Sequence, residues 1–444
     1  MNIITRKGHK LYDGEKEFRF ISINIPKLLI NEDPLPHWHR VDSWEIENAF
    51  KTINLIGGQV TRTYTLSIKG GIRPGDRGRA HIYGPGEFDE ELLKDLDKVL
   101  ELANKYQIRL IIPFIDQWDW FGGISHFAAF RDKMPLEFWT DSQIIGDFKE
   151  VLRCVINRVN TITKIPYKED PAIMAWETGN ELECPDSWTE EITSYIKSLD
   201  PNHLVMDGKY GISLASLENE NIDIVTNHYY VDRGKDIIGR LNKDIFLTHG
   251  KKPFIIGEFN HVSPNLTKEL LENSVSRQVA GTLLWSLRYH NKNGGFYYHG
   301  EMDDPYNPCY NWPGFSSRMS NGELEKVSYL RVYAYKIRNL SVPPIEIPEP
   351  PLILPIKTPH SISWRGSAGA QTYILERSTS KSGPWVTISS SIIENMVPFV
   401  PFCDYPAMEG NYYYRMFACN KSGVSSPSNV VLTYYRKTAT KQRI

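Results

Sequence analysis

Eight short runs rich in β-branched and aliphatic residues, separated by longer stretches of helical character, constrain this chain more than any other feature. They are FRFISIN (18–24), GQVTRTY (58–64), IRLIIPFI (108–115), AIMAWE (172–177), HLVMDG (203–208), DIVTNHY (223–229), PFIIGEF (253–259) and TLLWSL (282–287). Strands alternating with helices read as a parallel sheet with crossover connections. Eight such units over some 340 residues predict a (β/α)8 barrel with decorated loops. The stretch 89–106 is one of the helices, with Leu92, Leu96, Val99, Leu100 and Leu102 forming a stripe to pack on the barrel.

After the last run the pattern changes. The segment SVPPIEIPEPPLILP, 341–355, holds enough proline to stay extended and reads as a linker. Beyond it, SISW, TYILERS, WVTI, NYYYRMFACN and VVLTYY alternate between Gly, Pro, Ser and Asn clusters, predicting a small all-β immunoglobulin-like sandwich. The expected organisation is a barrel over 1–340, the linker, and a sandwich over 356–444.

The bulk numbers exclude several classes. With 51 basic and 53 acidic residues the chain has no positive excess for a phosphate backbone, so nucleic acid is not an expected partner. No apolar run reaches the length of a membrane span. The N-terminus lacks the apolar stretch of a leader, so the chain is cytoplasmic if Met1 is the native start, and secreted or periplasmic if a leader was trimmed. Five scattered cysteines, without CxxC spacing, point to neither a disulfide scaffold nor a zinc site; Cys403 and Cys419 could pair if the module lies outside the cell, and buried free thiols are the simpler reading. His37 and His39 in PHWHR offer alternate metal ligands, but no carboxylate or thiol cluster completes a set, so no metal and no cofactor is expected. A monomer is expected.

In a barrel of this kind the reactive groups stand at the C-terminal ends of the strands. Two carboxylates stand out there: Glu181, just past the fourth run in AIMAWETGNEL, and Glu258, at the end of the seventh in PFIIGEFN. Cleaving a glycosidic bond through an oxocarbenium-like state takes one group to protonate the departing oxygen and another to attack the anomeric carbon. Glu177 lies within or below the strand end and suits an internal hydrogen bond; Glu183 has entered the next loop.

The stretch 138–182, with its NRVNT segment, YKEDP loop and Asn-Glu pair, closely resembles endo-β-1,4-mannanases of glycoside hydrolase family 5. DQWDWFGG (116–123) and IKSLDPNHLVMDG (196–208) extend the resemblance over most of residues 10–290, and the combination ERSTSKSGPWVTI with GNYYYRMFACNKSGVSSPSN resembles a fibronectin type III module, with Trp364 its core tryptophan and Tyr412 its tyrosine-corner residue. Carried over by position, the mannanase resemblance implies a retaining mechanism with Glu181 as acid/base and Glu258 as nucleophile. It implies that Asn180 binds the sugar 2-hydroxyl, that Arg62 orients the nucleophile and holds it ionised, and that His228 and Tyr230 form the family's His-x-Tyr. Trp285 would floor the reactive subsite, Trp118 would be a platform beside it, and Glu181 would have a raised pKa.

The implied substrate is a β-linked polysaccharide or oligosaccharide of the mannan type. The chain departs from the family pattern at Leu182, where proline commonly follows Asn-Glu, at Thr178-Gly179, in a short loop at 209–222, and in an aromatic, acidic stretch at 291–315 able to cap a groove or to pack over the barrel base or against the second domain. An exo-β-mannosidase or β-1,4-glucanase of the same clan is the nearest alternative. A non-catalytic carbohydrate-binding protein is the alternative of another class.

Overall fold

The computed structural model describes residues 1–31, 40–71, 79–231, 236–297, 309–314, 322–394 and 401–436; His37 and His39 lie outside them. All eight predicted runs are barrel strands: β1 (Phe20–Ile23), β2 (Val60–Arg62), β3 (Arg109–Pro113), β4 (Ile173–Glu177), β5 (Leu204–Asp207), β6 (Ile224–Tyr229), β7 (Phe254–Phe259) and β8 (Gly281–Leu284). The hydrogen-bonded order is β1-β8-β7-β6-β5-β4-β3-β2, every pair parallel. Closure between β1 and β2 is made by Ile25 N–H donating to Arg62 O at 3.1 Å and by the Thr61 hydroxyl donating to Ile23 O at 2.8 Å.

The barrel interior is apolar at its N-terminal end. Val60, Ile111, Met174, Met206, Ile224, Ile255 and Leu283 cluster there with Ile4, Leu11 and Phe18. The last three come from a small antiparallel sheet, Ile4–Lys7, Lys10–Asp13 and Lys16–Phe18, that plugs the barrel floor. Sealing that end leaves the strands' C-terminal ends as the place where polar side chains gather.

The predicted helix is Glu90–Tyr106, capped by Asp89, and all five residues of its stripe are buried. Its Asp97 explains the NRVNT and YKEDP segments in structural terms. Arg158, Thr161 and Tyr167 all donate to the Asp97 carboxylate, and the Asn160 amide donates to Asp97 O. IKSLDPNHL is likewise structural: the buried Asp200 carboxylate pairs with the His203 ring at 2.7 Å and accepts from the Trp176 indole. The helix Glu323–Lys336 completes the outer layer, its Tyr335 ring lying where a Cβ on Gly57 would fall. Gly57 ends the helix Ser43–Ile56 with φ 89°, so glycine is required there on two counts.

The chain divides into two compact units, residues 1–287 with 325–342, and residues 288–324 with 343–444. This differs from a division at the proline-rich segment. The aromatic stretch after β8 falls in the second unit, where Arg365 donates to Lys292 O at 2.9 Å and the buried His290 ring pairs with Glu394 at 3.0 Å. The proline-rich segment also ends inside that unit, with Leu352–Ile353 pairing with Trp364–Arg365. A five-stranded antiparallel sheet, led by Thr372–Ser378 and Gly410–Asn420, makes up the rest of its regular structure among the described residues. Trp364, Tyr373, Leu375, Tyr414 and Met416 form its core, and the Met408 N–H donates to the Tyr412 hydroxyl at 3.1 Å, a tie to backbone four residues upstream. All five cysteines are free.

Candidate active site

Arg62, at the end of β2, is fully buried, and its guanidinium organises the barrel mouth. Nε and Nη2 donate to the two Glu177 oxygens at 2.6 and 3.2 Å, Nη1 donates to Glu258 at 2.8 Å, and Nη2 also donates to Asn180 Oδ1 at 2.9 Å. Glu177 is thus the internal partner its position within the strand suggested. Neighbouring carboxylates raise the Arg62 pKa against the effect of its burial, so it stays a cation.

Glu258 also accepts from the Tyr230 hydroxyl at 2.6 Å. A register shift between β6 and β7 sets His228 directly beside Glu258, and Gly257 makes this possible because a Cβ there would fall 2.8 Å from the His228 ring. The His228 Nδ1 lies 2.6 Å from Glu181 and 3.4 Å from Glu258. The Trp118 indole donates to the other Glu181 oxygen at 2.8 Å while 45% of that residue stays exposed, as a platform at a mouth would be.

Glu181 adopts a left-handed conformation, φ 54°, between two pinned neighbours. Asn180 N–H donates to Ile115 O at 2.7 Å on one side; Leu182 N–H donates to Gly208 O at 2.8 Å and Leu182 O accepts from Tyr210 N–H on the other. Gly179 and Gly208 let these backbones touch, since a Cβ on Gly208 would lie 1.8 Å from Gly179 O. The family-atypical residues therefore form a clamp. A proline at 182 has no N–H to give Gly208.

Burial pushes the Glu258 carboxyl above the usual glutamate range and the Glu181 charge adds to it, while His228, Arg62 and the Tyr230 hydroxyl pull the other way. The expectation that Arg62 keeps this group low is corrected: Arg62 places two of its N–H groups on Glu177 and one on Glu258, too little to outweigh desolvation.

A carboxylate oxygen from each of Glu181 and Glu258 and a His228 nitrogen lie within 4.8 Å of one another. Among the described residues this trio alone has the makings of a metal-ligand set, yet the chemistry of a close carboxylate pair calls for none. An approach this close is in keeping with the short spacing of retaining glycosidases, about 5 to 5.5 Å, rather than the wider one of inverting enzymes.

Trp285, on the chain just after β8, is buried and joined to Ser286 by a cis peptide. It clusters with Tyr64, Phe121, Tyr230 and the half-buried Trp120. All eight residues singled out in the sequence thus lie at this mouth. Two were missed, Tyr64 and Asp116. The Tyr64 hydroxyl donates to Asp116 at 2.7 Å, and the Asn180 amide donates to Asp116 at 2.9 Å and to Tyr64 at 3.2 Å. Tyr64 follows Arg62 at period two on an extending strand, the one signal that pointed to it.

A family model described as GH family 5 β-mannosidase-like matches residues 4–234. The chain belongs to this family. As a family 5 enzyme it is a retaining glycoside hydrolase. It is 30% identical over 306 residues to mannan endo-1,4-β-mannosidase 1 of Solanum lycopersicum, covering 56% of this chain and 75% of that one. It is 33% identical over 304 residues to mannan endo-1,4-β-mannosidase 7 of Arabidopsis thaliana, covering 55% and 69%. In fold, the family 5 enzyme is similar to the endo-1,4-β-mannanase of Rhizomucor miehei, with TM-score 0.59, 20% identity, and coverage of 76% of this chain and all of that one. The endo-β-1,4-mannanase of Thermotoga petrophila gives 0.58 and 18%, with coverage of 95% and 98%.

Proposed function

We propose that this family 5 enzyme hydrolyses β-1,4-mannosidic bonds of mannan-type polysaccharides or oligosaccharides by double displacement, with Glu258 as nucleophile and Glu181 as acid/base. The observation that carries the assignment is the difference between the two carboxylates' partners. Glu258 faces a permanent cation and a phenol, which favour negative charge on it against the upward push of burial; Glu181 accepts from the Trp118 indole, and the His228 ring stands close to both carboxylates. The proton the pair holds belongs on Glu181 at the start of the reaction. Glu181 gives it to the departing oxygen as Glu258 attacks the anomeric carbon, and then takes a proton from the water that releases the sugar.

Mannan as substrate is supported by the plant relatives named above. Assays on mannan, glucomannan and cellulose test it: oligosaccharide release from the first two and none from cellulose is expected, and cellulose cleavage at the same rate argues for a glucanase. Mannose as sole product would identify an exo-acting enzyme. Part of the aromatic stretch able to cap the groove, 298–308, lies outside the described residues.

A further inference from the structure

The polar groups under Glu181 form a network whose polarity is fixed at both ends. Arg62 is a donor only and an ionised carboxylate an acceptor only, so an amide between them has one orientation, with Oδ1 toward Arg62 and Nδ2 toward Asp116. Both Asn180 N–H groups are taken, one by Asp116 and the other by the Tyr64 hydroxyl, whose own proton goes to Asp116. Asp116 also accepts from the Trp118 backbone N–H, two residues along the segment whose indole holds Glu181. Tyr64 in turn packs against Trp120 and Trp285, with ring centroids 4.6 and 6.0 Å away. Asp116 is fully buried. One carboxylate thereby joins the ends of β2, β3 and β4 to the aromatic floor.

We propose that Asp116 is a positioning residue: accepting from Tyr64, Asn180 and Trp118, it sets the amide orientation of Asn180 and holds the indole that steadies Glu181. This rests on the proposed roles of Glu181 and Glu258. Burial pushes the Asp116 carboxyl up to about 7, against the pull of Asn180, Tyr64 and the Trp118 backbone, and the Glu181 charge raises it further. The titratable groups facing it are Tyr64 from β2 and Glu181 from beyond β4, with Arg62 reached through Asn180. Protonating Asp116 turns an acceptor into a donor and breaks the fixed polarity.

The test compares the full-length chain with Asp116→Asn, Tyr64→Phe and the double variant, each first checked by thermal melting. Activity is followed against pH on soluble mannan. Trp118 indole proton resonance, assigned with Trp118→Phe, is followed against pH without substrate. In the wild type both report an inflection near 7 with activity falling on the acid side. Asp116→Asn is expected to lose that inflection and to lower kcat by about 10- to 100-fold with a smaller change in KM. The variant amide keeps one acceptor oxygen where the carboxylate had two, so the Tyr64 hydroxyl and the Asn180 amide compete for it, and Tyr64→Phe costs less in the Asp116→Asn background than in the wild type. If Asp116→Asn fails to fold, Tyr64→Phe alone decides, since removing a donor to the ionised form moves the inflection to higher pH. An inflection unmoved in every variant, or strictly additive losses, overturns the proposal. Wild-type inactivity on every β-mannoside would overturn the proposed function instead, and the resonance titration still decides the role of Asp116.

Discussion

Arg62 shows how little separates a structural from a functional group in this molecule: one guanidinium neutralises a buried carboxylate, orients another and fixes an amide. Arg62→Met leaves Glu177 as a buried, unpaired charge, and the expected loss is about 3 to 5 kcal/mol of stability in urea unfolding. A loss under about 1 kcal/mol would mean that Glu177 takes up a proton at little cost once Arg62 is gone. Glu181→Gln should slow cleavage of polysaccharide, whose leaving group needs a proton, by a factor of about 100 to 10,000. Activated aryl mannosides should be far less affected in their first step. Equal losses on both would remove Glu181 from the acid role.

At the scale of the elements, the clamp on Glu181 joins β3, β4 and β5 through backbone alone. Leu182→Pro removes the N–H donated to Gly208 and presses residue 181 toward the extended region, away from its φ of 54°. We expect kcat to fall with the fold retained, read by activity and circular dichroism together; unchanged kcat would show that the clamp does not hold Glu181. A second element-level prediction concerns His81, beside β2's continuation. Its Nδ1 accepts from the Ser67 N–H, and burial pushes its pKa from 6.5 down to about 4, so the fold favours the neutral ring. Stability from this group is present above pH 6.5 and is lost as pH falls toward 4. Melting temperature measured across that window should fall less steeply in His81→Gln than in the wild type.

The strands were legible because burial on both faces writes itself as runs of β-branched residues, and Glu181 and Glu258 because they stand at strand ends. The segments most alike to family 5, NRVNT and YKEDP, turn out to tie a helix to Asp97 and touch no reacting group. Asp116 and Tyr64 were hidden because their roles depend on who faces them across the mouth, which spacing along one strand does not reveal. The second unit's extent was legible in part: the stretch holding Phe296, Tyr297, Tyr310 and Trp312 suited a groove cap or packing against the barrel base or the second domain, and these four residues are buried.

For the whole molecule, the composition of the second unit predicts what truncation does. Residues 288–324 fall in one compact unit with 343–444, so deleting the latter removes Glu394 from the His290 ring and Arg365 from Lys292 O. Limited proteolysis of such a truncated chain should cut within 288–297 while 1–287 survives; survival of 288–297 would mean that this segment holds without the residues removed. The central claim is that Glu258 forms the covalent bond to sugar. Its most direct test is to trap the glycosyl-enzyme with a 2-deoxy-2-fluoro-mannosyl fluoride and find the label by peptide mass spectrometry. The account predicts one fluorosugar on the peptide containing Glu258; a label on Glu181, or on any other residue, would contradict it.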